Sequence, residues 1–175
     1  MVDTGAVYPG TVATQAVAPE DDKDWTDPNN IKANDAANAV ASAVDTYTYR
    51  IKATNFGFAI PTGATIDGIL VEVEKVANTY INDYRVQLLD ANGSLVGDNK
   101  ADTVTDWANA IISYGGATDK WNASPTEAMI EDVDFGIVLS AQSTPAFGAA
   151  RIDFIRMTIY YTEAGGGAAR GWMSK

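Results

Sequence analysis

Apolar residues in this chain recur at every second position in short runs, and no stretch sustains a 3.6-residue period, so the sequence can bury them only on sheet faces. Tyr47, Tyr49 and Ile51 alternate with Thr48, Arg50 and Lys52. Phe56, Phe58 and Ile60 extend the pattern to Pro61, Thr62-Gly63 supplies a turn, and Ile69, Val71 and Val73 then alternate with Leu70, Glu72 and Glu74. Tyr84, Val86 and Leu88 lead into Asp90-Ala91-Asn92-Gly93, where Asn-Gly tolerates positive φ and marks a hairpin that returns through Leu95 and Val96. Val133, Phe135, Ile137 and Leu139 form another face, and Ile155, Met157, Ile159 and Tyr161 the last. Ile152 and Phe154 fall on the opposite parity, which predicts a bulge, or a long strand passing between two sheets. Several short strands separated by turns predict an all-β fold: a single antiparallel β-sandwich, jelly-roll-like.

The chain has 175 residues, enough for one core that removes about 70% of the unfolded chain's surface from water. Residues 1–24 lack periodicity, turn acidic at Glu20, Asp21, Asp22 and Asp24, and read as an extended N-terminal arm. Residues 25–163 hold the sandwich. Within them Ala33–Val44 reads as loop with one helical turn at most, because Asn34, Asp35 and Asn38 compete for backbone hydrogen bonds. Residues 164–175 form a Gly-rich C-terminal tail that carries Arg170 and Lys175 and no acidic residue.

Composition narrows the chemistry. The sequence contains no cysteine and no histidine, which removes thiol nucleophiles, disulfides, thiolate or imidazole metal sites and the usual proton shuttle at neutral pH. Twelve basic against 23 acidic side chains give a formal charge of −11. Nucleic-acid affinity needs clustered Lys and Arg, so no nucleic-acid partner is expected. No stretch reads as a secretory signal or a membrane span, and no membrane partner is expected. Asp21, Asp22, Asp24 and Asp27, or Asp98, Asn99 and Asp102, lack the glycine and terminal glutamate of a calcium loop, so no metal and no cofactor is assigned. Glu72 and Glu74 share a strand face but are explained by an exposed sheet surface beside Lys75. No motif activates a serine, and no catalytic residue is assigned.

Tryptophan leaves two readings open. Trp25, Trp107 and Trp121 lie in loop-like segments, where they either plug the ends of the sandwich or, for Trp107 and Trp121, offer stacking platforms to sugar rings. Trp172 lies beyond the glycines, and Arg170, Trp172, Met173 and Lys175 together form a candidate partner-binding group on the cationic tail.

A series of blocks then comes together: Trp25-Thr26-Asp27-Pro28-Asn29-Asn30, NFGFAIPTGATIDGILVEVE over Asn55–Glu74, GDNKAD over Gly97–Asp102, and Trp107. YGGATDKWN follows over Tyr114–Asn122, FGIVLSAQ over Phe135–Gln142 and ARIDFIRMTIYYT over Ala150–Thr162. From Trp25 to Thr162 this series resembles a group of β-sandwich proteins encoded among the structural genes of tailed bacteriophages. The resemblance implies a virion component, made in the host cytoplasm, whose counterparts serve as head decoration or cement proteins, neck or tail-fibre parts, or sugar-binding host-adhesion modules. With no fibre shaft, heptad region or second domain in the sequence, decoration of the particle exterior is the leading expectation. The partner would be the major capsid protein or another virion protein, and the subunits a homo-oligomer, with a trimer favoured.

Overall fold

The computed structural model describes residues 1–77, 80–143 and 148–164. Ten strands account for nearly all of its regular structure: β1 (Val2–Asp3), β2 (Thr11–Gln15), β3 (Ala39–Val44), β4 (Arg50–Thr54), β5 (Thr65–Ala77), β6 (Ile81–Leu89), β7 (Leu95–Val96), β8 (Ala110–Gly116), β9 (Gly136–Ser143) and β10 (Gly148–Thr162). A 3₁₀ turn at Pro28–Ile31 and a four-residue helix α1 at Glu127–Ile130 are the helical pieces among the described residues. All strand pairs are antiparallel and form two sheets. The first runs β1-β10-β5-β8, with β3 also on β10; the second runs β2-β4-β9-β6-β7. The fold is thus an antiparallel β-sandwich, with β4 through β10 passing repeatedly from one sheet to the other.

Alternation decides what fills the space between the sheets. Ile69, Val71 and Val73 of β5 and Ile155, Met157 and Ile159 of β10 are wholly buried, as are Ile51 of β4, Val86 and Leu88 of β6, and Ile137 and Leu139 of β9. The parity slip in the last strand is a bulge: Ile152 pairs with Lys75 and Ile155 with Val73, so β10 carries one residue more than β5 between them. Phe154 therefore leaves the intersheet core and is buried instead beneath Tyr8, ring edge to face at 5.9 Å.

The structure differs from the sequence reading at several places. Residues 1–24, read as an arm, supply β1 to one sheet and β2 to the other, with Val2 opposite Tyr161 and Thr11 opposite Thr54. Their small polar alternation carries too little apolar contrast to announce a strand. Ala33–Val44 ends in β3, because Ala39, Ala41 and Val44 are buried against β10. Phe56, Phe58 and Ile60 are all buried as the alternation requires, but Asn55 at φ 56° and Gly57 at φ 69° turn the chain out of register, and no strand forms. Val133 is 62% exposed, since the turn after α1 delays β9 until Gly136.

Candidate functional site

Among the described residues, Trp25, Trp107 and Trp121 are each committed to the interior. Trp121 is fully buried and donates Nε1–H to the Ile69 carbonyl at 2.9 Å. Trp25 is 4% exposed and donates to the Tyr49 carbonyl at 2.8 Å. Trp107 is 7% exposed and donates to Asp83 Oδ1 at 2.7 Å. Little of either the Trp107 or the Trp121 ring is therefore presented to solvent as a stacking platform for a sugar: Trp121 has no exposed surface, and Trp107 borders a cavity of about 130 Å³. Gly115, at φ 75°, sits directly against the Trp121 indole, and a side chain there would collide with the ring. Arg170, Trp172, Met173 and Lys175 lie outside the described residues.

Asp22, Asp24, Asn99 and Asp102 of the acidic loops bind backbone amides. Asp22 Oδ2 accepts the Asp45 and Thr46 amides, and Asp24 Oδ1 accepts the Trp25 amide. Asn99 Oδ1 accepts the Val86 amide at 2.8 Å, while Asp102 Oδ1 accepts those of Val104 and Thr105 at 3.0 Å. Glu72 forms a two-point pair with Arg156 at 2.8 and 3.0 Å. Asp24 and Asp102 thus close local turns, Asp22 and Asn99 tie loops to distant backbone, and Glu72 pairs on the sheet surface.

Two buried charge clusters remain. In the first, Glu20 is fully buried and accepts from Arg50 Nη2 at 2.6 Å, Arg50 Nε at 2.8 Å, Arg85 Nε at 2.9 Å and Ser140 Oγ at 2.6 Å. Arg50, Arg85 and Ser140 occupy the parity opposite to the core residues of β4, β6 and β9, so this cluster lies on the outer face of the second sheet. Burial pushes the Glu20 carboxyl up, but hydrogen bonds from Arg50, Ser140 and Arg85 outweigh it and hold the group below its ordinary value.

The second cluster lies between the sheets. Lys75 occupies the inward parity of β5 after Ile69, Val71 and Val73, and only 3% of it is exposed. Asp83 reaches the same place from β6 because a bulge at Tyr84, between the pairs Asp83–Ala141 and Arg85–Ser140, turns Asp83 to the inner side together with Val86 and Leu88. Lys75 Nζ donates to Asp83 Oδ1 at 2.5 Å and also to Tyr114 Oη. Tyr114 Oη in turn donates to Asp83 Oδ2 at 2.6 Å, and the Asp102 amide donates to the same oxygen at 3.1 Å. The Trp107 and Tyr114 rings flank the ammonium, with centroids at 4.8 and 4.9 Å. Burial pulls the Lys75 amine down, against the Asp83 carboxylate, which supports its charge. Burial and that same carboxylate push the Tyr114 phenol up. A cavity of about 130 Å³ adjoins the cluster, lined by Trp107, Ile112, Tyr114 and the Asp102–Ala108 loop.

Sequence reasoning placed Lys75 on the surface beside Glu72 and Glu74 and missed the cluster. The signal was parity: Lys75 continues the Ile69-Val71-Val73 face. Asp83 gave no such signal, because only the bulge turns it inward.

No family model matches the sequence, and no curated protein matches it. Among solved structures the chain is similar to the CBM22-1 xylan-binding domain of Paenibacillus barcinonensis Xyn10C, at 14% identity over 91% of this chain and 88% of that one, with a TM-score of 0.37. Among the described residues no helix is long and apolar enough to cross a membrane, and no group of three or more carboxylates gathers as a metal site.

Proposed function

We propose that this chain is a non-enzymatic structural protein of a tailed-phage virion, a decoration subunit that adheres to the outside of the assembled head and holds neighbouring capsid subunits together. The observation that carries this reading is how the polar and aromatic side chains are used. Trp25, Trp107, Trp121, Glu20, Lys75 and Asp83 bind other parts of the sandwich, which favours a rigid brick whose contacts matter over a site that engages a small molecule. The blocks behind the phage resemblance are the core strands and turns of that brick.

Adhesion of this kind works by area: a specific interface buries about 1,200–2,000 Å², and a subunit spanning two capsid proteins adds its binding energy to theirs. A charge of −11 keeps free copies soluble and apart. The cationic tail, with Arg170, Trp172, Met173 and Lys175, supplies a local contact of opposite sign to the major capsid protein or to an adjacent copy in a homo-oligomer, with a trimer favoured.

The test is stoichiometry and binding. Purified particles should carry the chain in numbers comparable with the major capsid protein, and recombinant chain should co-sediment with heads that lack it. Replacing Trp172 and Arg170 with alanine should abolish co-sedimentation while the sandwich stays folded. A few copies confined to one vertex would reassign the chain to the neck or tail, and undiminished binding by the double variant would remove the tail from the mechanism.

A further inference from the structure

We propose that Lys75 and Asp83 condense into an intramolecular amide, a covalent bond that joins the two sheets. The proposal does not rest on the virion reading. Its basis is the geometry of the buried cluster, where an amine nitrogen and a carboxylate sit 2.5 Å apart with 3% and 1% of their side chains exposed, one on a strand of each sheet.

Each group around the pair has a part in the step. The bond formed is Lys75 Nζ to Asp83 Cγ, and the bond broken is Asp83 Cγ to Oδ2. Ammonium plus carboxylate becomes amide plus one water, so two of the three ammonium protons leave with Oδ2 and nothing is oxidised or reduced. Tyr114 Oη touches both Nζ and Oδ2, so it can accept a proton from the amine while giving its own to the departing oxygen, and it ends unchanged. Trp107 Nε1–H points at Oδ1 from 2.7 Å. Oδ1 is the oxygen that stays and collects negative charge during attack, where a fixed donor is most effective. The adjoining cavity of about 130 Å³ can take the released water.

Energetics favour the product for the same reason that the ion pair is costly. Two buried ions each carry a desolvation penalty that their mutual attraction only partly offsets, and a neutral amide carries far less. Strands β5 and β6 hold nucleophile and carbonyl side by side, which replaces a bimolecular encounter with a local one, and the Trp107 and Tyr114 rings keep bulk water from reversing it.

The experiment is intact mass spectrometry of the full chain under denaturing conditions, followed by tryptic mapping. The expected result is a chain one water lighter than its sequence, with trypsin unable to cut after Lys75 and a looped peptide running from Ala53 to Arg85. Lys75→Met should restore the full sequence mass, and Tyr114→Phe, which keeps the ring but removes the relay, should slow the mass change in freshly made protein. A wild-type chain that keeps its full mass after prolonged incubation at neutral pH overturns the proposal, whether or not the variants fold. So does a missing water that maps to Asp67-Gly68 as a cyclic imide, in which case trypsin still cuts after Lys75.

Discussion

Glu20 is the residue on which the outer face of the second sheet depends. It satisfies two guanidinium groups and a serine hydroxyl at once, and its removal would leave Arg50 and Arg85, whose side chains are 14% and 19% exposed, facing each other without a counter-charge. Glu20→Ala should therefore destabilise the fold by about 3 kcal/mol, the usual cost of breaking a buried pair, read as a shift in the urea midpoint at neutral pH. Because the folded carboxyl is held below its ordinary value, its contribution is complete above that value and is lost as pH falls through the folded one. The wild-type chain should thus lose stability on acidification below about pH 4 more steeply than Glu20→Gln. Trp121 is the apolar counterpart: Trp121→Ala removes a fully buried ring and its bond to Ile69, and should cost about 3–5 kcal/mol by the same measurement.

Among the elements, β8 is an edge strand with two exposed isoleucines. Among the described residues it pairs with β5 alone, and Ile111 and Ile112 are 46% and 37% exposed on a strand that carries no charge and no proline. Such an edge is a template for pairing with another strand. Ile111→Lys, on the outward parity beside Glu74, should reduce concentration-dependent association in light scattering while changing the urea midpoint by under about 0.5 kcal/mol. At the β4–β9 pair the constraint is steric: a Cβ at Gly136 would strike the Ala53 carbonyl, so Gly136→Ala should lower the thermal midpoint measurably.

Strands with strong apolar contrast were legible from sequence, β5 and the latter part of β10 most clearly, and the β10 bulge was legible as a break in parity at Ile152–Ile155. What alternation could not supply was the fate of weakly apolar segments. Strand β2 reads TVATQ and β3 reads AVASAV, and each is a strand because a neighbour offers it hydrogen bonds, not because its own pattern demands it. The buried charges were hidden for the same reason: Glu20 looked like one more acid in an acidic run, and Asp83 is turned inward by a bulge with no sequence mark.

For the molecule as a whole, residues 1–24 belong to the sandwich's architecture. Deleting Met1–Gln15 would bare part of β10 in one sheet and all of β4 in the other, so the truncated chain should show a lowered thermal midpoint and reduced soluble yield. If the proposed decoration role holds, deleting residues 165–175 should remove co-sedimentation with heads while leaving the thermal transition in place. That pair of truncations separates the contribution of the N-terminal strands to stability from the proposed contribution of the tail to binding.

The pairing of Val2 with Tyr161 also sets a kinetic condition. Strand β1 has no place to dock until β10 has been synthesised, and the first sheet is completed only when segments from opposite extremes of the sequence meet. Loop closure over such a span is slow compared with local hairpin formation. Refolding from denaturant should therefore be governed by this late encounter, and a nascent chain halted before β10 would leave its opening residues with nothing to bind.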